Sequence, residues 1–345
     1  MEASSFPPVQ QRLMEFIRQR FQLGYNHYSV QKLIGDASSR QYFRLVVENE
    51  GSYVLAAYPE PFKLEDFTYQ NVYDIFRAVG LPVPEIIVAD GELGIVLQED
   101  LGDESVQKRL RQSTQEEYCR LMCRAIDLMI LIQTEATKVV PPQTEAARLA
   151  FDKEKLSWEL AFFRRYYGNY RHLPLPEDQG LIEESTRLAE ELASFQRFLC
   201  HRDYHVRNLM VKNEQVFIID FQDARQGPAL YDLVSLLKDS IQLTPQQVEW
   251  YFGYYVNRSR AENSPALLEE GLLRRQFDLM TVQRLLKALG TYGYQITERG
   301  NFIYEQYVAG SLHRASLALQ SLREFPYIQS LVEDEVTKLV TDKDR

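Results

Sequence analysis

Apolar residues at helical spacing open the chain. Val9, Leu13, Phe16, Ile17 and Phe21 share one stripe with Met14 at its edge, which predicts an amphipathic helix over residues 8–23. Strand-like runs follow near 29–34, 42–48 and 52–58, joined by the polar links GDASSRQ and ENEGS. A second helix is predicted over 64–79, stopped by Gly80 and the prolines Pro82 and Pro84. Ile86 to Ala89 and Leu93 to Gln98 then read as a strand pair. Beyond residue 100 the period becomes helical, at 114–135, 151–167, 180–199, 244–257, 268–291 and 303–322. Leu121, Ala125, Leu128, Met129 and Ile132 form a core stripe in the first of these, and PPQTEAARLAF (141–151) reads as a loop. The last residues, TDKDR, read as a frayed tail.

One stretch interrupts the helical half, and the chemistry gathers there. Cys200 to Gly227 runs as a polar turn, an apolar run Leu209–Val211, the turn Lys212-Asn213-Glu214, a second apolar run Val216–Ile219, and an acidic loop. Antiparallel pairing of the two runs would bring Asp203 and Asn208 opposite Asp220 and Asp223 at one end of a ribbon. Oxygen ligands gathered at one point suit a hard cation such as Mg²⁺. A carboxylate beside them can take the proton of a substrate hydroxyl and aim its oxygen at phosphorus. Solvated loop acids are the bland alternative, but the order H-x-D-x-x-x-x-N, hairpin, I-D-F is the grammar of kinase-like phosphotransferases.

Composition narrows the class. At 345 residues, with 45% hydrophobic and 26% charged residues, the chain has the make-up of a soluble globular protein with a sizeable core. No apolar run has the length of a membrane span, and no basic-then-apolar leader opens the sequence. Three cysteines, Cys119, Cys123 and Cys200, suggest neither a disulfide framework nor a zinc site, so a cytoplasmic location is expected. The net charge of −10 disfavours nucleic acid as a partner but not ATP, whose charge arrives with magnesium. No obligate protein partner is evident.

The segments H201-R-D-Y-H-V-R-N208, I219-D-F-Q-D-A and G227-P-A-L-Y-D-L-V-S-L-L resemble the aminoglycoside phosphotransferase family of small-molecule kinases. Within it the chain is similar to the bacterial anomeric kinases of N-acetylmuramate and N-acetylglucosamine in cell-wall recycling. A37-S-S-R-Q-Y-F-R44, D100-L-G102, F151-D-x-x-x-L-x-x-E-L160 and Q283-R-L-L-K-A-L-G290 carry that likeness, in this order, over about residues 30–295. The resemblance implies an α+β, two-lobed protein-kinase-like fold. A small antiparallel-sheet N-lobe (1–99) would cover the nucleotide, and a larger, mostly helical C-lobe (100–345) would hold the catalytic loop. It also implies ATP and Mg²⁺, and a sugar 1-phosphate as product. Residues 295–345 match no pattern of the family.

Roles are then expected residue by residue. Asp203 is the candidate base, and Asn208 and Asp220 are the candidate metal ligands. His201 holds the loop, and Asp232 accepts bonds from its backbone. The backbone around Ser38 and Ser39 is a candidate cover for the triphosphate. The connector at Glu99 and Asp100 is a candidate for contact with adenine through its backbone, with the two carboxylates facing solvent.

The strand S52-Y-V-L-A-A-Y58 lacks the lysine that kinases use on the phosphates, as the sugar-kinase subgroup also tends to. Arg40 or Arg44 is expected to supply that charge. Glu159, Asp152, His205 and Asp223 are candidates for sugar contact. Arg284 and Lys287, three apart on one helix, are candidates for the carboxylate of N-acetylmuramate. Two rival readings remain: transfer to an aminoglycoside or another hydroxylated metabolite, and a nucleotide-binding pseudokinase that regulates.

Overall fold

Burial alternates along Gln41–Val47, with Phe43, Leu45 and Val47 inside, because one face of that strand lies beneath the first helix. The computed structural model describes residues 7–21, 27–33, 40–239, 241–266 and 269–343. Strands β1 (Tyr28–Lys32), β2 (Gln41–Val47), β3 (Gly51–Ala57), β4 (Ile86–Asp90) and β5 (Ile95–Glu99) form an antiparallel sheet of order β1-β2-β3-β5-β4. Helix α1 (Val9–Phe21) sets Leu13, Phe16 and Ile17 against Phe43, Leu45, Leu55, Ile95 and Leu97 on one face. Buried Arg12 pins that helix, donating to the carbonyls of Leu93 at 2.5 Å and Tyr58 at 2.7 Å. The other face, with Ala56 and Val96, meets α2 (Thr68–Ala78) through Val72, Ile75 and Phe76 and runs on into the main core. The helix expected from residue 64 opens as a 3₁₀ turn at Leu64–Asp66, and α2 proper starts at Thr68.

After the sheet come α3 (Val106–Leu110), α4 (Gln115–Thr134), α5 (Glu145–Arg148), α6 (Lys153–Arg171) and α7 (Gln179–Ser194). Two short ribbons follow. β6 (Arg197–Cys200) pairs with β9 (Arg225–Pro228), and β7 (Leu209–Lys212) pairs with β8 (Gln215–Ile218). The chain ends in α8 (Tyr231–Val234), α9 (Pro245–Ala261), α10 (Glu270–Arg299), α11 (Glu305–Leu322) and α12 (Pro326–Lys343).

Three expectations need correction. The helix predicted over 180–199 stops at Ser194, because Arg197–Cys200 is a strand whose partner lies beyond the ribbon. The 141–151 loop contains one helical turn, α5. The C-terminal part is helical, with α10 extending to Arg299 and a full helix over Pro326–Lys343.

Helices α6 and α10 approach backbone to backbone. A Cβ added to Gly290 would stand 2.6 Å from Phe163 Cα, so only glycine fits there. That closeness sets the α6 residues Lys155 and Glu159 beside Gln283 and Lys287 of α10.

Candidate active site

The β7–β8 ribbon is closed by Asn213 and Glu214, both at positive φ (50° and 61°), which makes a tight two-residue turn between the paired Lys212 and Gln215. Its open end carries Asn208 just before β7 and Asp220 just after β8. The pairing continues there, with Ile219 N–H donating to the Asn208 carbonyl at 3.0 Å. Asn208 Nδ2 lies 3.0 Å from the Asp203 carbonyl and 3.5 Å from Asp220 Oδ2, so the expected meeting of these groups is formed. Asp220 sits at φ +62°, a left-handed conformation that aspartate tolerates better than most residues.

The loop before Asp203 is held from below. Asp232, fully buried, accepts the N–H of His201 at 2.6 Å and of Arg202 at 3.0 Å. Those two bonds hold Arg202 at φ +84°, where a side chain costs about 1–3 kcal/mol. Burial pushes the Asp232 carboxyl up, and the His201 charge and backbone bonds only partly offset it. His201 Nε2 lies 2.9 Å from the Ile219 carbonyl, tying the loop to the ribbon, and Tyr204 Oη donates to the Ala125 carbonyl of α4. His201 and Asp232 therefore do the structural work expected of them.

Asp203 stands among cations. Burial alone would raise its carboxyl, yet Lys287, Arg202, Arg284 and His205 outweigh it and hold the group well below the ordinary carboxylate range. Arg202 spans the site, reaching Asp203 at 3.7 Å and Asp223 at 3.1 Å. Gln222 bridges Asp220 Oδ1 at 3.1 Å and Asp223 Oδ2 at 3.2 Å. Glu159 is buried and accepts from Gln283 at 2.8 Å, with Lys155 3.7 Å away. Asp152 is the N-cap of α6, its Oδ1 taken by the Lys155 N–H. Nearly buried His205 lies 3.5 Å from Arg207. The pair Arg284 and Lys287 does not share an open helix face. Arg284 is buried, donates to the Arg202 carbonyl at 3.2 Å and lies over the Tyr231 ring.

The sheet contributes one arginine directly. Arg40 donates to Asp220 Oδ1 at 2.8 Å, its guanidinium lying near the rings of Tyr42 and Tyr58. Arg44 is elsewhere: it grips Asp100 (2.7 and 3.1 Å) and Asp103 (2.9 and 3.0 Å), fastening β2 to the connector. Asp100, expected to face solvent, is thus buried in an ion pair, while Glu99 stays partly exposed and accepts from Lys212 at 2.7 Å. Ser38 and Ser39 lie outside the described residues. Phe221, next to Asp220, is fully buried and stacks on Tyr69 of α2 at 4.7 Å, which locks the acidic loop to the sheet side.

Among the described residues, no three His, Cys, Asp or Glu side chains gather as a self-sufficient metal site. The Asn208 amide and the Asp220 carboxylate are nevertheless hard oxygen donors. A Mg²⁺ ion held by such a pair completes its shell with phosphate oxygens and water. The donors therefore fit a metal that arrives with a nucleotide. Sequence reasoning missed Arg202, Arg225, Lys155 and Gln283. Arg202, inside the H-R-D motif, and Gln283, at the head of Q283-R-L-L-K-A-L-G290, carried a signal; Lys155 and Arg225 come from a separate helix and a strand.

The chain belongs to the phosphotransferase enzyme family, whose model matches residues 29–265. It is an enzyme of phosphoryl transfer with a protein-kinase-like α+β fold. Two curated relatives are similar to it in sequence. An N-acetylmuramate/N-acetylglucosamine kinase from Neisseria meningitidis is 30% identical, over 74% of this chain and 75% of its own. One of the same name from Pseudomonas aeruginosa is 30% identical over 74% of each. Among solved structures, an amicoumacin kinase in complex with AMP-PNP, Ca²⁺ and Ami superposes with a TM-score of 0.60. That match covers 90% of this chain and 95% of that one at 13% identity, a likeness of fold. No described helix is long and apolar enough to cross a membrane.

Proposed function

We propose that the protein transfers the γ-phosphoryl group of ATP to the anomeric hydroxyl of N-acetylmuramate, N-acetylglucosamine or both, in the cytoplasm. The observation that carries this reading is the Asn208 amide, which touches both the Asp203 backbone and the Asp220 carboxylate at the open end of the ribbon. The relatives' named substrates supply the acceptor.

Asp203, kept ionised by its cationic neighbours, accepts the hydrogen bond of the sugar hydroxyl and takes its proton as the new bond forms. Asn208 and Asp220 would hold Mg²⁺, which neutralises phosphate charge when bound. Arg40, at the roof of the same point, supplies the cation that β3 lacks. Residues 1–99 form the nucleotide-covering lobe in this reading and 100–345 the catalytic one. The cations around Asp203 disfavour a polycationic aminoglycoside as acceptor. The intact Asp203, Asn208 and Asp220 disfavour a pseudokinase.

ADP release is measured with Mg-ATP and a panel of sugars, aminoglycosides and choline. The expected result is turnover with the N-acetylated sugars alone, and a fall of roughly 10²- to 10⁴-fold in kcat for Asp203→Asn. Turnover with another acceptor class, or undiminished turnover in Asp203→Asn, overturns the reading.

A further inference from the structure

A protein of net charge −10 keeps a surplus of positive charge around its candidate base. Lys155, Arg202, Arg225, Arg284 and Lys287 lie near Glu159, Asp203 and Asp223, linked by ion pairs and mutual electrostatic influence. Most of these cations are committed. Arg202 and Arg225 share Asp223, at 3.1 and 3.9 Å, and Arg284 is fixed on the Arg202 carbonyl and the Tyr231 ring.

Two lysines remain. Among the described residues Lys287 forms no ion pair, although it is half-buried and close enough to Asp203 to depress it. The carboxylate nearest Lys155 belongs to Glu159, at a loose 3.7 Å and already hydrogen-bonded to Gln283. Glu159 bonds Gln283, one turn before Lys287 on α10, and burial and the charges of Arg202, Arg225 and Lys287 outweigh Glu159 in disfavouring the Lys155 ammonium, so the two lysines lie within electrostatic reach of one another. Like charges crowded into a partly enclosed space are unfavourable until an anion joins them. The glycine-tight contact of α6 with α10 holds the two lysines there, and exposed Trp158, its ring 4.2 Å from Lys155 Nζ, walls one side.

We propose that Lys155 of α6 and Lys287 of α10 together form a subsite for an anionic substituent of the acceptor, a carboxylate carried by the sugar. The inference rests on the sugar-kinase reading above and extends it to specificity. The subsite makes the enzyme prefer N-acetylmuramate, an acid, over the neutral N-acetylglucosamine.

The test compares kcat/KM for the two sugars at pH 8, where Asp203 is ionised in every variant. Wild type, Lys155→Met, Lys287→Met and Lys153→Met are measured together; Lys153, on the same helix as Lys155, is exposed and paired with Glu190 of α7. The acid-to-neutral ratio is expected to fall about 10- to 100-fold in the first two variants, mainly through KM for the acid, and to hold in the third. An unchanged ratio in both variants, or an equal loss for both sugars, overturns the subsite while leaving the kinase reading intact. Turnover of neither sugar by the wild type removes the acceptor reading, and the subsite with it.

Discussion

Arg40 Nη2 reaches Asp220 Oδ1 at 2.8 Å, joining residues 180 positions apart. The arginine side chain is 11% exposed and the carboxylate 38%, so the bond sits at the edge of the cleft with the cation on its inner side. A roof arginine bonded to the acid beneath it is placed to share the phosphates once a metal draws that acid away. Arg40→Ala is expected to cut kcat by about 10²- to 10³-fold, the scale of losing one preorganised donor to developing charge. Arg40→Lys should recover part of it, since a lysine keeps the charge but not the fork. Steady-state ATP turnover decides; a loss under about threefold in Arg40→Ala would reject the role.

Arg44 differs from Arg40 in kind. It holds buried Asp100 with two bonds and exposed Asp103 with two more. Its removal strands a buried carboxylate, which costs up to roughly 3–5 kcal/mol when fully enclosed. Solvent near Asp103 reduces this, and about 2–3 kcal/mol is expected for Arg44→Ala. A denaturant melt should therefore shift for Arg44→Ala, while kcat at saturating ATP changes far less than in Arg40→Ala. The reverse pattern would assign Arg44 to the phosphates.

These contrasts mark what the chain revealed about itself. The meeting of Asn208 with Asp220 was legible because a hairpin joins them, and hairpin pairing depends on local alternation and turn residues. The bond from Arg40 was legible only as one of two candidates, since its partner is distant and no period encodes it. β6 and β9 were hidden because each is four residues long and finds its partner only across the ribbon. Arg284 and Lys287 read as a joint carboxylate-binding pair because they stand three apart, at a helical interval. In the fold the middle of that helix is buried nearly all round, Gln276, Asp278, Gln283 and Arg284 included, so those polar residues point into the protein. The sites that escaped are those where polar groups are buried, which is where hydrophobic patterning carries least information.

The α6–α10 contact predicts a separable effect. Gly290 lies against Phe163 Cα and N at 2.6 and 2.9 Å from an added Cβ, and backbone cannot yield as a flexible side chain can. Gly290→Ala should destabilise the fold by about 1–3 kcal/mol through overpacking, despite the higher helix propensity of alanine. Spreading the helices also moves Lys155 and Glu159 away from Gln283 and Lys287, so KM for the sugar should rise more than KM for ATP. Equal changes in both constants would show that the contact supports the fold without setting the acceptor side.

Far from the cleft, Glu335 of α12 anchors the C-terminal helix. It is buried and accepts from Tyr167 Oη at 2.9 Å and Arg171 Nε at 2.5 Å, with Lys338 at 2.9 Å. Burial works against its charge, but Lys338, Arg171 and Tyr167 prevail and leave the carboxyl below the ordinary glutamate range. A carboxylate depressed by folding binds fewer protons in the native state. Its stabilisation is therefore full above the unfolded value of about 4.3 and is lost as pH falls through the lower folded value. Glu335→Gln should cost roughly 2 kcal/mol at pH 7, less than for fully enclosed pairs because Lys338 reaches water. The gap between the two proteins in chemical denaturation should narrow on acidification below about pH 4. A gap constant between pH 7 and pH 3 would mean that the charge of Glu335 contributes nothing and that its shape and hydrogen bonds alone hold α12 in place.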